Sequence, residues 1–287
     1  MIKIKVYKPF AFKLHMIKEI LQKVKKHKKY NTIADEVVIE EIKKHMEENK
    51  TKDLEINKQT IKDIRKQLHL SYSSFQTKKK NKTKKYLHEL RDANDKKSEE
   101  LTKKLLSITV STKERLGNYK SLYKQIFKIT GKPKTIIDLG SGLNPLSYPY
   151  MNLKKLNYFT YDIDEEDKKF LNDYFKIMKS EGLNGKADIL NLKNLSKISN
   201  LPYNIDITFL FKVIDILDKK DHKHSEQLIK QLLTKTKFIV ASFATKTLTK
   251  KSMNFPNRKW FELMLNRNNI KFKNIKTDNE IYYIINK

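Results

Sequence analysis

Hydrophobic residues recur at helical spacing through most of the first 130 residues. In residues 12–29 the apolar positions follow one helical face, and the opposite face is almost entirely lysine. Thr32 suits the N-cap of a second helix, because acidic residues occupy the turn that follows it. Further helices are predicted over residues 60–70, 82–107 and 119–129. The pattern therefore predicts an all-helical N-terminal region.

From residue 135 onward, short apolar runs alternate with amphipathic stretches. Strands are predicted at residues 135–139, 158–161, 185–190, 205–211, 237–243, 272–275 and 281–285. Helices are predicted between them, over residues 165–179, 225–233 and 260–266. Strands that alternate with helices favour an α/β fold with a mainly parallel sheet, and the last two strands are predicted to be antiparallel.

The change from one pattern to the other predicts two domains. Residues 110–116 interrupt the helical periodicity, and Gly131-Lys132-Pro133 breaks the chain just before the first strand. We therefore predict a basic helical domain over residues 1–110 and an α/β domain over residues 111–287.

A glycine-rich turn follows the first predicted strand at once. Gly140-Ser141-Gly142 lets the backbone turn sharply and approach a ligand without a Cβ in the way. Asp162 lies 20 residues beyond Gly142, where a second strand would present a carboxylate to ribose hydroxyls. Pro145 follows the turn, so the sequence lacks the complete fingerprint of a dinucleotide or phosphate-binding loop. An acid before such a turn is typical of S-adenosylmethionine sites, and the alternative is a tight turn in another α/β protein.

Composition narrows the chemistry. The 287 residues include no cysteine, which excludes disulfides, thiolate zinc sites and cysteine nucleophiles. No apolar run approaches membrane-spanning length, and the N-terminal sequence MIKIKVYKPF lacks the apolar core of a signal peptide. A soluble, cytoplasmic protein without a membrane partner is therefore expected.

The charge of the chain favours a polyanionic partner. The net charge is +29, of which residues 1–130 carry +18 and residues 131–287 carry +11. The densest basic run, KKKNKTKK, contains Lys78, Lys79 and Lys80, which are candidates for phosphate contacts. The alternative is that these lysines and the lysine faces of the helices are only solvated. The overall charge favours the first interpretation, with the N-terminal region as the docking surface for RNA.

Several sequence blocks resemble the Arm/Rmt (FmrO-like) family of aminoglycoside-resistance methyltransferases, which modify guanine N7 in the decoding region of small-subunit rRNA. From about residue 28 onward, the blocks occur in the order of the family: KKYNTIADEVV, KKYLHEL, VSTKERL, IIDLGSGLNPLSYPYM, YDID, LFKVIDILDKKD and VASFATKTLTKK with the following FPNRKWFE. The chain departs from the family at Ser141, where cysteine is usual, and at Ile214-Asp215, where Leu-Pro is usual.

The resemblance implies a Rossmann-like class I methyltransferase domain with an N-terminal all-helical extension, S-adenosyl-L-methionine as the cofactor, and rRNA within the assembled 30S subunit as the substrate. It implies that Arg115 binds the cofactor carboxylate through its planar guanidinium, and the alternative is a surface ion pair with a nearby acid. The remaining cofactor residues that it implies are Gly140 and Gly142 along the methionine moiety, Asp162 at the ribose, Asp188 and Ile189 at the adenine, and, without a stated part of the cofactor, Asp138 and Ser141. For Asp138 the alternative is a structural cap. Asp164 is either a further functional acid or a structural cap.

Transfer of a methyl group to guanine N7 needs no general base, because N7 has a free lone pair. Catalysis is then expected to rest on positioning and electrostatics, with the target base flipped out of its helix. Lys212 and Lys246 are candidates for the catalytic side, and Lys246 and Arg258 for RNA contacts, with an ordinary surface cation as the alternative for each. No metal site is expected, since the His222-x-His224 pair lies in a loop rich in Lys and Asp.

Two other functions remain open at the level of sequence. Asn200-Leu201-Pro202-Tyr203 resembles the NLPY motif of rRNA adenine-N6 dimethyltransferases, but it precedes the fourth predicted strand instead of following it. A non-catalytic RNA-binding protein with a degenerate cofactor site is the other alternative. The intact DLGSG sequence, Asp162 and Arg115 argue against that alternative.

Overall fold

The computed structural model describes residues 8–48, 57–71, 83–218, 222–247, 251, 253 and 256–287. Lys78, Lys79 and Lys80 lie outside these residues, and their contacts with RNA stay predictions. The chain divides into two compact units. One comprises residues 1–76 with 163–165, and the other comprises residues 77–162 with 166–287.

The first unit consists of three helices, α1 (Lys8–Lys25), α2 (Asp35–Glu48) and α3 (Lys58–Ser71), as far as its described residues show. Their apolar faces are buried, as the periodicity predicts; examples are Ile20, Val38 and Ile64. The guanidinium of Arg65 donates from Nη2 to the carbonyl oxygen of Val24, 3.3 Å away. This contact satisfies a carbonyl at the C-terminal end of α1 with a positive charge.

Residues 163–165 belong to the first unit because they pair with the turn before α2. Ala34 donates its backbone N–H to the carbonyl of Ile163 over 2.9 Å, and Glu165 donates to the carbonyl of Thr32 over 2.8 Å. The Thr32 hydroxyl donates to Oδ2 of Asp164 over 2.9 Å. Asp164 is fully buried. This contact gives it a structural role.

The second unit contains a sheet with the order β3-β2-β1-β4-β5-β7-β6 in its described residues. The strands are β1 (Thr135–Leu139), β2 (Leu156–Asp162), β3 (Leu183–Ile189), β4 (Ile205–Phe211), β5 (Thr236–Ala244), β6 (Lys271–Lys276) and β7 (Glu280–Asn286). Strands β1 to β5 are parallel, and β7 is antiparallel to both β5 and β6. The predicted α/β class and the antiparallel closing pair are confirmed.

Helices cover both faces of the sheet. They are α4 (Thr83–Arg91), α5 (Asp95–Leu106), α6 (Val110–Arg115), α7 (Tyr119–Thr130), α8 (Glu165–Ile177), α9 (Ile214–Leu217), α10 (Lys223–Leu232) and α11 (Lys259–Arg267), with 3₁₀ segments at Asn144–Met151 and Leu195–Asn200. No described helix is both long and apolar enough to cross a membrane.

The helix predicted over residues 82–107 is two helices, α4 and α5. The side chain of Asn94 accepts a hydrogen bond from the backbone N–H of Lys97 over 3.0 Å and so caps the start of α5. Residues 110–116, predicted as an interruption, form the short helix α6 and its C-cap Leu116. The prediction missed both features because they depend on capping and tertiary packing, which hydrophobic periodicity does not record.

The boundary between the compact units differs from the predicted boundary at residues 110 and 111. Leu87 of α4 and Leu101 of α5 lie in the same apolar core as Tyr119, Ile136 and Tyr158, so α4 and α5 pack with the sheet. Since a domain boundary falls where few contacts cross, the division lies between residues 76 and 77 instead. The basic excess is divided too: residues 1–76 carry +8, and residues 77–130 carry +10.

Candidate cofactor site at the carboxyl edge of the sheet

The order of the strands reverses between β1 and β4. The connection from β1 leads to β2 on one side, whereas β4 lies on the other side of β1. In open parallel sheets, ligands bind at such a switch point, beyond the carboxyl ends of the strands. The predicted turn 140–142, which we call the glycine loop, follows β1 there, and Asp162 ends the neighbouring strand β2. We call this side of the sheet the carboxyl edge.

Two positive φ angles shape the glycine loop. Gly140 has φ +66°, and a Cβ at this position would lie 2.6 Å from Cγ2 of Val213. Gly142 has φ +48°, and a Cβ at this position would meet none of the described residues within 4 Å. Crowding together with backbone conformation therefore reserves the first position for glycine, and conformation favours glycine at the second.

Asp162 is joined directly to the glycine loop. Its Oδ2 accepts a hydrogen bond from the backbone N–H of Gly142 over 2.7 Å. The carbonyl of Tyr161 accepts a 2.8 Å hydrogen bond from the N–H of Gly140. Ser141 is buried and hydrogen-bonded through its hydroxyl to Thr160. The acid predicted to bind the ribose and the loop predicted to line the methionine moiety are therefore hydrogen-bonded to each other.

Asp138 lies fully buried beneath the glycine loop. Its Oδ2 accepts hydrogen bonds from Nδ2 of Asn144 at 2.8 Å and from the hydroxyl of Tyr158 at 2.7 Å. The Tyr119 hydroxyl donates to Oδ1 of Asn144 over 2.9 Å and holds that amide in place. Oδ1 of Asp138 is buried and accepts no hydrogen bond from the part of the chain that the structure describes.

The environment of Asp138 fits an amino-acid-bearing cofactor. Burial raises the pKa of its carboxyl to about 6, and the hydrogen bonds from Asn144 and Tyr158 partly offset the rise. A buried carboxylate oxygen without a donor is costly, and an added donor, above all a cationic one such as an ammonium group, would relieve that cost. The orphaned oxygen beside two left-handed glycines is therefore compatible with the methionine end of S-adenosylmethionine.

Arg115 on α6 forms a buried ion pair with Glu280 at the start of β7. The side chain of Arg115 is 3% exposed, its Nη2 lies 2.9 Å from Oε1 of Glu280, and its Nε lies 3.0 Å from Oε2. Burial alone would raise the pKa of Glu280, but the positive charges of Arg115 and Lys212 hold it below its usual value. The ion pair uses Nε and Nη2 of Arg115, so the predicted contact with the cofactor carboxylate would be made by Nη1. That contact stays a prediction.

Lys212 is part of the same ionic cluster. It directly follows β4 with φ +58°, an uncommon conformation for a residue with a side chain. Its backbone N–H lies 3.1 Å from both the carbonyl and the hydroxyl oxygen of Ser242. Its Nζ is hydrogen-bonded to Glu114 and lies 3.5 Å from Glu280. Its predicted catalytic role stays a prediction, since two carboxylates hold the ammonium group.

The predicted adenine residues end β3. Oδ1 of Asp188 accepts from the backbone N–H of Ile189 over 2.9 Å and lies 3.2 Å from Nζ of Lys168. Burial opposes ionisation of Asp188, but these contacts outweigh it and lower its pKa. The residue is therefore a fixed anion at the carboxyl edge, two strands from β1. Contacts of Asp188 and Ile189 with adenine remain predictions.

The two described candidates for RNA contacts lie after β5. Nη2 of Arg258 pairs with Oδ2 of Asp215 over 2.8 Å, and its guanidinium carbon lies 5.3 Å from the centre of the Phe243 ring. Lys246 is half-buried. Among the residues that the structure describes, no group of three or more potential ligands could hold a metal ion.

The NLPY stretch lies at the opposite, amino edge of the sheet, because it precedes β4. Nζ of Lys235 donates to the carbonyl oxygens of Ser199 and Leu201 over 2.8 and 2.9 Å. The same ammonium group lies 3.5 Å from the centre of the Tyr203 ring. A buried cation thus ties this loop together, far along the strand direction from the glycine loop.

Sequence reasoning missed the residues that support the site from a distance in the chain. Glu280 and Ser242 join Arg115 and Lys212, and Tyr158 joins Asp138, but no spacing rule links these positions. Asn144 had a usable signal, since it lies within the GLNPL block next to the glycine loop.

Comparisons with known proteins agree with this architecture. The model of the family described as "Ribosomal RNA methyltransferase (FmrO)" matches residues 26–284. A 16S rRNA (guanine(1405)-N(7))-methyltransferase of Proteus mirabilis is 26% identical over 94% of this chain and 97% of its own length. The crystal structure of the 16S rRNA methyltransferase RmtF in complex with S-adenosyl-L-homocysteine superposes with a TM-score of 0.75, at 19% identity, over 95% of this chain and 98% of that chain.

The buried carboxyl group gives a pH prediction. Asp138 has a pKa near 6 in the folded chain against a reference value of 3.8, so its ionisation destabilises the fold as the pH rises from about 4 to 7. Asp138→Asn removes this titration. Relative to the wild type, the unfolding free energy of the variant should therefore rise with pH over this range, by up to about 3 kcal/mol.

Denaturant unfolding at a series of pH values measures this difference. Asp206→Asn is a control of opposite sign, because contacts with Lys237 and with the N–H groups of Lys134 and Thr135 outweigh burial and lower the pKa of Asp206. That variant should lose stability relative to the wild type near neutral pH and recover it on acidification. A stability difference for Asp138→Asn that stays constant from pH 4 to 7 would contradict the assignment.

Proposed function

The chain belongs to the FmrO family of ribosomal RNA methyltransferases, and from this premise we propose that it transfers the methyl group of S-adenosylmethionine to N7 of a guanine in small-subunit rRNA. The observation that carries the proposal is the hydrogen bond between the glycine loop and Asp162 at the switch point of the sheet. A methyl donor with an amino acid at one end and a nucleoside at the other matches the two parts of this site.

The reaction is an in-line displacement at carbon. The cofactor supplies an electrophilic methyl group on a sulfonium. The lone pair of guanine N7 forms the new N–C bond while the S–C bond breaks, which leaves S-adenosylhomocysteine and a cationic N7-methylguanine. No proton is transferred, so the chain contributes by holding both reactants in line and by excluding water.

We assign the cofactor contacts to the carboxyl edge. Gly140 and Gly142 give the methionine moiety close access to the backbone, Asp138 faces its ammonium group and Nη1 of Arg115 its carboxylate. Asp162 binds the ribose while it accepts from the glycine loop. The fixed ion pair with Glu280 holds the guanidinium in one orientation, so little side-chain entropy is lost on binding.

We assign recognition of the RNA to the basic part of the chain. The strong positive charge of residues 1–130 supplies attraction to phosphate without regard to sequence. Because a guanine N7 inside an A-form helix lies in a deep and narrow groove, the target base has to leave its helix. We propose the assembled small ribosomal subunit as the substrate that presents this base.

The product of the reaction tests the proposal directly. Wild-type protein is incubated with small ribosomal subunits and S-adenosylmethionine, and the rRNA is digested to nucleosides for mass spectrometry. N7-methylguanosine is the expected product. It carries a fixed positive charge, because N7 uses its lone pair to form the new bond to the methyl carbon. The position is then mapped by primer extension after borohydride and aniline treatment.

Asn200→Ala is the control, because this residue lies in the loop tied together by Lys235 at the amino edge. The variant should form N7-methylguanosine at a rate within about twofold of the wild type. Detection of dimethyladenosine that disappears in Asn200→Ala would instead make the NLPY stretch the active site. Absence of any methylated nucleoside, with binding to the subunit retained, would favour a non-catalytic RNA-binding protein.

A charge exchange tests the docking role of the first unit. Lys26, Lys28 and Lys29 are exposed just beyond α1. Replacing all three with glutamate should weaken binding to small subunits at least tenfold and make it less dependent on salt, because each lost phosphate contact reduces the logarithmic salt slope by roughly 0.7–0.9. Sedimentation binding assays at several salt concentrations measure both quantities.

The same exchange on β6 gives the matched control. Lys271, Lys273 and Lys276 are exposed on that strand, and their replacement with glutamate changes the net charge of the chain by the same amount. This variant should bind subunits almost as the wild type does. Equal losses in the two triple variants would mean that only total charge matters, and the docking assignment of the first unit would fail.

A further inference from the structure

Two aromatic rings stack on each other near the carboxyl edge. The rings of His222 and Trp260 are nearly parallel, with an angle of 6° and 3.7 Å between their centres. Nδ1 of His222 lies 3.0 Å from Oδ2 of Asp218, which fixes the imidazole within its plane. The side chain of His222 is 37% exposed. One ring is therefore held by a second ring and a carboxylate while part of it faces solvent.

The stack belongs to the same edge of the sheet as the glycine loop. His222 follows β4 after the short helix α9. Trp260 lies edge-on to Phe243, the last residue but one of β5, with 6.1 Å between the ring centres. Parallel strands end together at one edge, and β4 and β5 are the next two strands beside β1. At about 4.8 Å per strand, β5 lies roughly 10 Å from β1.

Packing against two phenylalanine rings holds the Trp260 ring rigidly. Trp260 also lies edge-on to Phe261, with 5.4 Å between centres and an angle of 74°. Phe261 and Phe243 are fully buried and lie 5.0 Å apart. Because Trp260 is supported in this way, the His222 ring stacked on it loses little conformational freedom when a ligand binds. A contact with the exposed part of His222 is therefore efficient.

Two exposed lysines adjoin the stack in the chain. Lys223 follows His222, and Lys259 precedes Trp260. RNA-binding proteins combine aromatic rings, on which unstacked bases lie, with cations that contact the adjoining phosphates. A nucleobase flanked by phosphates matches both features of this surface.

We propose that the exposed face of His222, backed by Trp260, stacks on a nucleobase of the rRNA substrate that neighbours the methylated guanine. The inference rests on the proposed function, because it takes its ligand from that substrate. The methylated guanine itself has to reach the cofactor at β1, whereas the stack lies beside the ends of β4 and β5. The stack therefore holds an adjacent nucleotide and fixes the register of the flipped strand.

Binding to small ribosomal subunits in the presence of S-adenosylhomocysteine tests the proposal. His222→Ala removes the contacting ring and should weaken binding at least fivefold, the low end for loss of one base–aromatic stack. His222→Phe keeps a flat ring and should bind within about twofold of the wild type. Both variants should bind S-adenosylhomocysteine with unchanged affinity, which shows that the fold and the cofactor site are intact.

Tyr203→Ala is the matched control. Tyr203 is a 63% exposed aromatic residue beside a lysine, like the proposed stack, but it lies at the amino edge. Its loss should leave subunit binding unchanged.

Trp260 is the only tryptophan of the chain, so its emission reports on the stack. Protein-free small-subunit rRNA, which contains no tryptophan, should change this emission in the wild type.

Three results would overturn the inference: unchanged subunit binding by His222→Ala, binding by His222→Phe as weak as that of His222→Ala, or an emission of Trp260 that does not respond to bound rRNA. Failure of the proposed function has a different signature, because wild-type protein would then form no N7-methylguanosine. If the product forms while His222→Ala binds normally, the function stands and the stacking site alone is rejected.

Discussion

The hydrogen bond from the N–H of Gly142 to Asp162 is the interaction on which the candidate site depends. It joins the loop after β1 to the acid that ends β2, and it requires the left-handed conformation that glycine adopts at lowest cost. The crowding of Gly140 against Val213 connects the same loop to the segment after β4. Three neighbouring strands thus converge at one turn. The chain continues from Asp162 into residues 163–165, which pair within the helical unit.

Buried charge is the second constraint. Arg115, Lys212, Glu114 and Glu280 form a cluster with two positive and two negative side chains, so opposite charges meet in a low-dielectric environment. Such a cluster adds little net stability relative to apolar packing, but loss of one partner would leave an uncompensated charge. Its contribution is orientation: it ties α6, the turn after β4 and the start of β7 together. Asp138 differs, because its carboxylate relies on two neutral donors, and no described residue donates to its second oxygen.

Local patterns in the sequence were sufficient to locate the strands, the glycine loop after β1 and the position of Asp162 at the end of β2. Period-two and short apolar runs report burial directly, and the 20-residue spacing follows from a strand, a crossover and a second strand. The partnership of Arg115 with Glu280 was beyond reach, because it joins residues 165 positions apart through the order of the strands. The break between α4 and α5 was missed since a single capping residue, Asn94, decides it. The compact units divide between residues 76 and 77 and not at the predicted boundary, because helical periodicity does not reveal which core a helix joins.

The central claim is that the acid at the end of β2 binds the cofactor together with the glycine loop. Calorimetric titration of the wild type, Asp162→Ala and Asp206→Ala with S-adenosylhomocysteine tests it most directly. Asp206 lies near the start of β4, at the opposite edge of the sheet. It accepts hydrogen bonds from backbone N–H groups at the start of β1, so it is the matched control. We expect Asp162→Ala to weaken binding at least tenfold, since a charge-assisted hydrogen bond contributes about 1.5–3 kcal/mol, and Asp206→Ala to leave the affinity unchanged. Equal affinity of Asp162→Ala and the wild type would contradict the account.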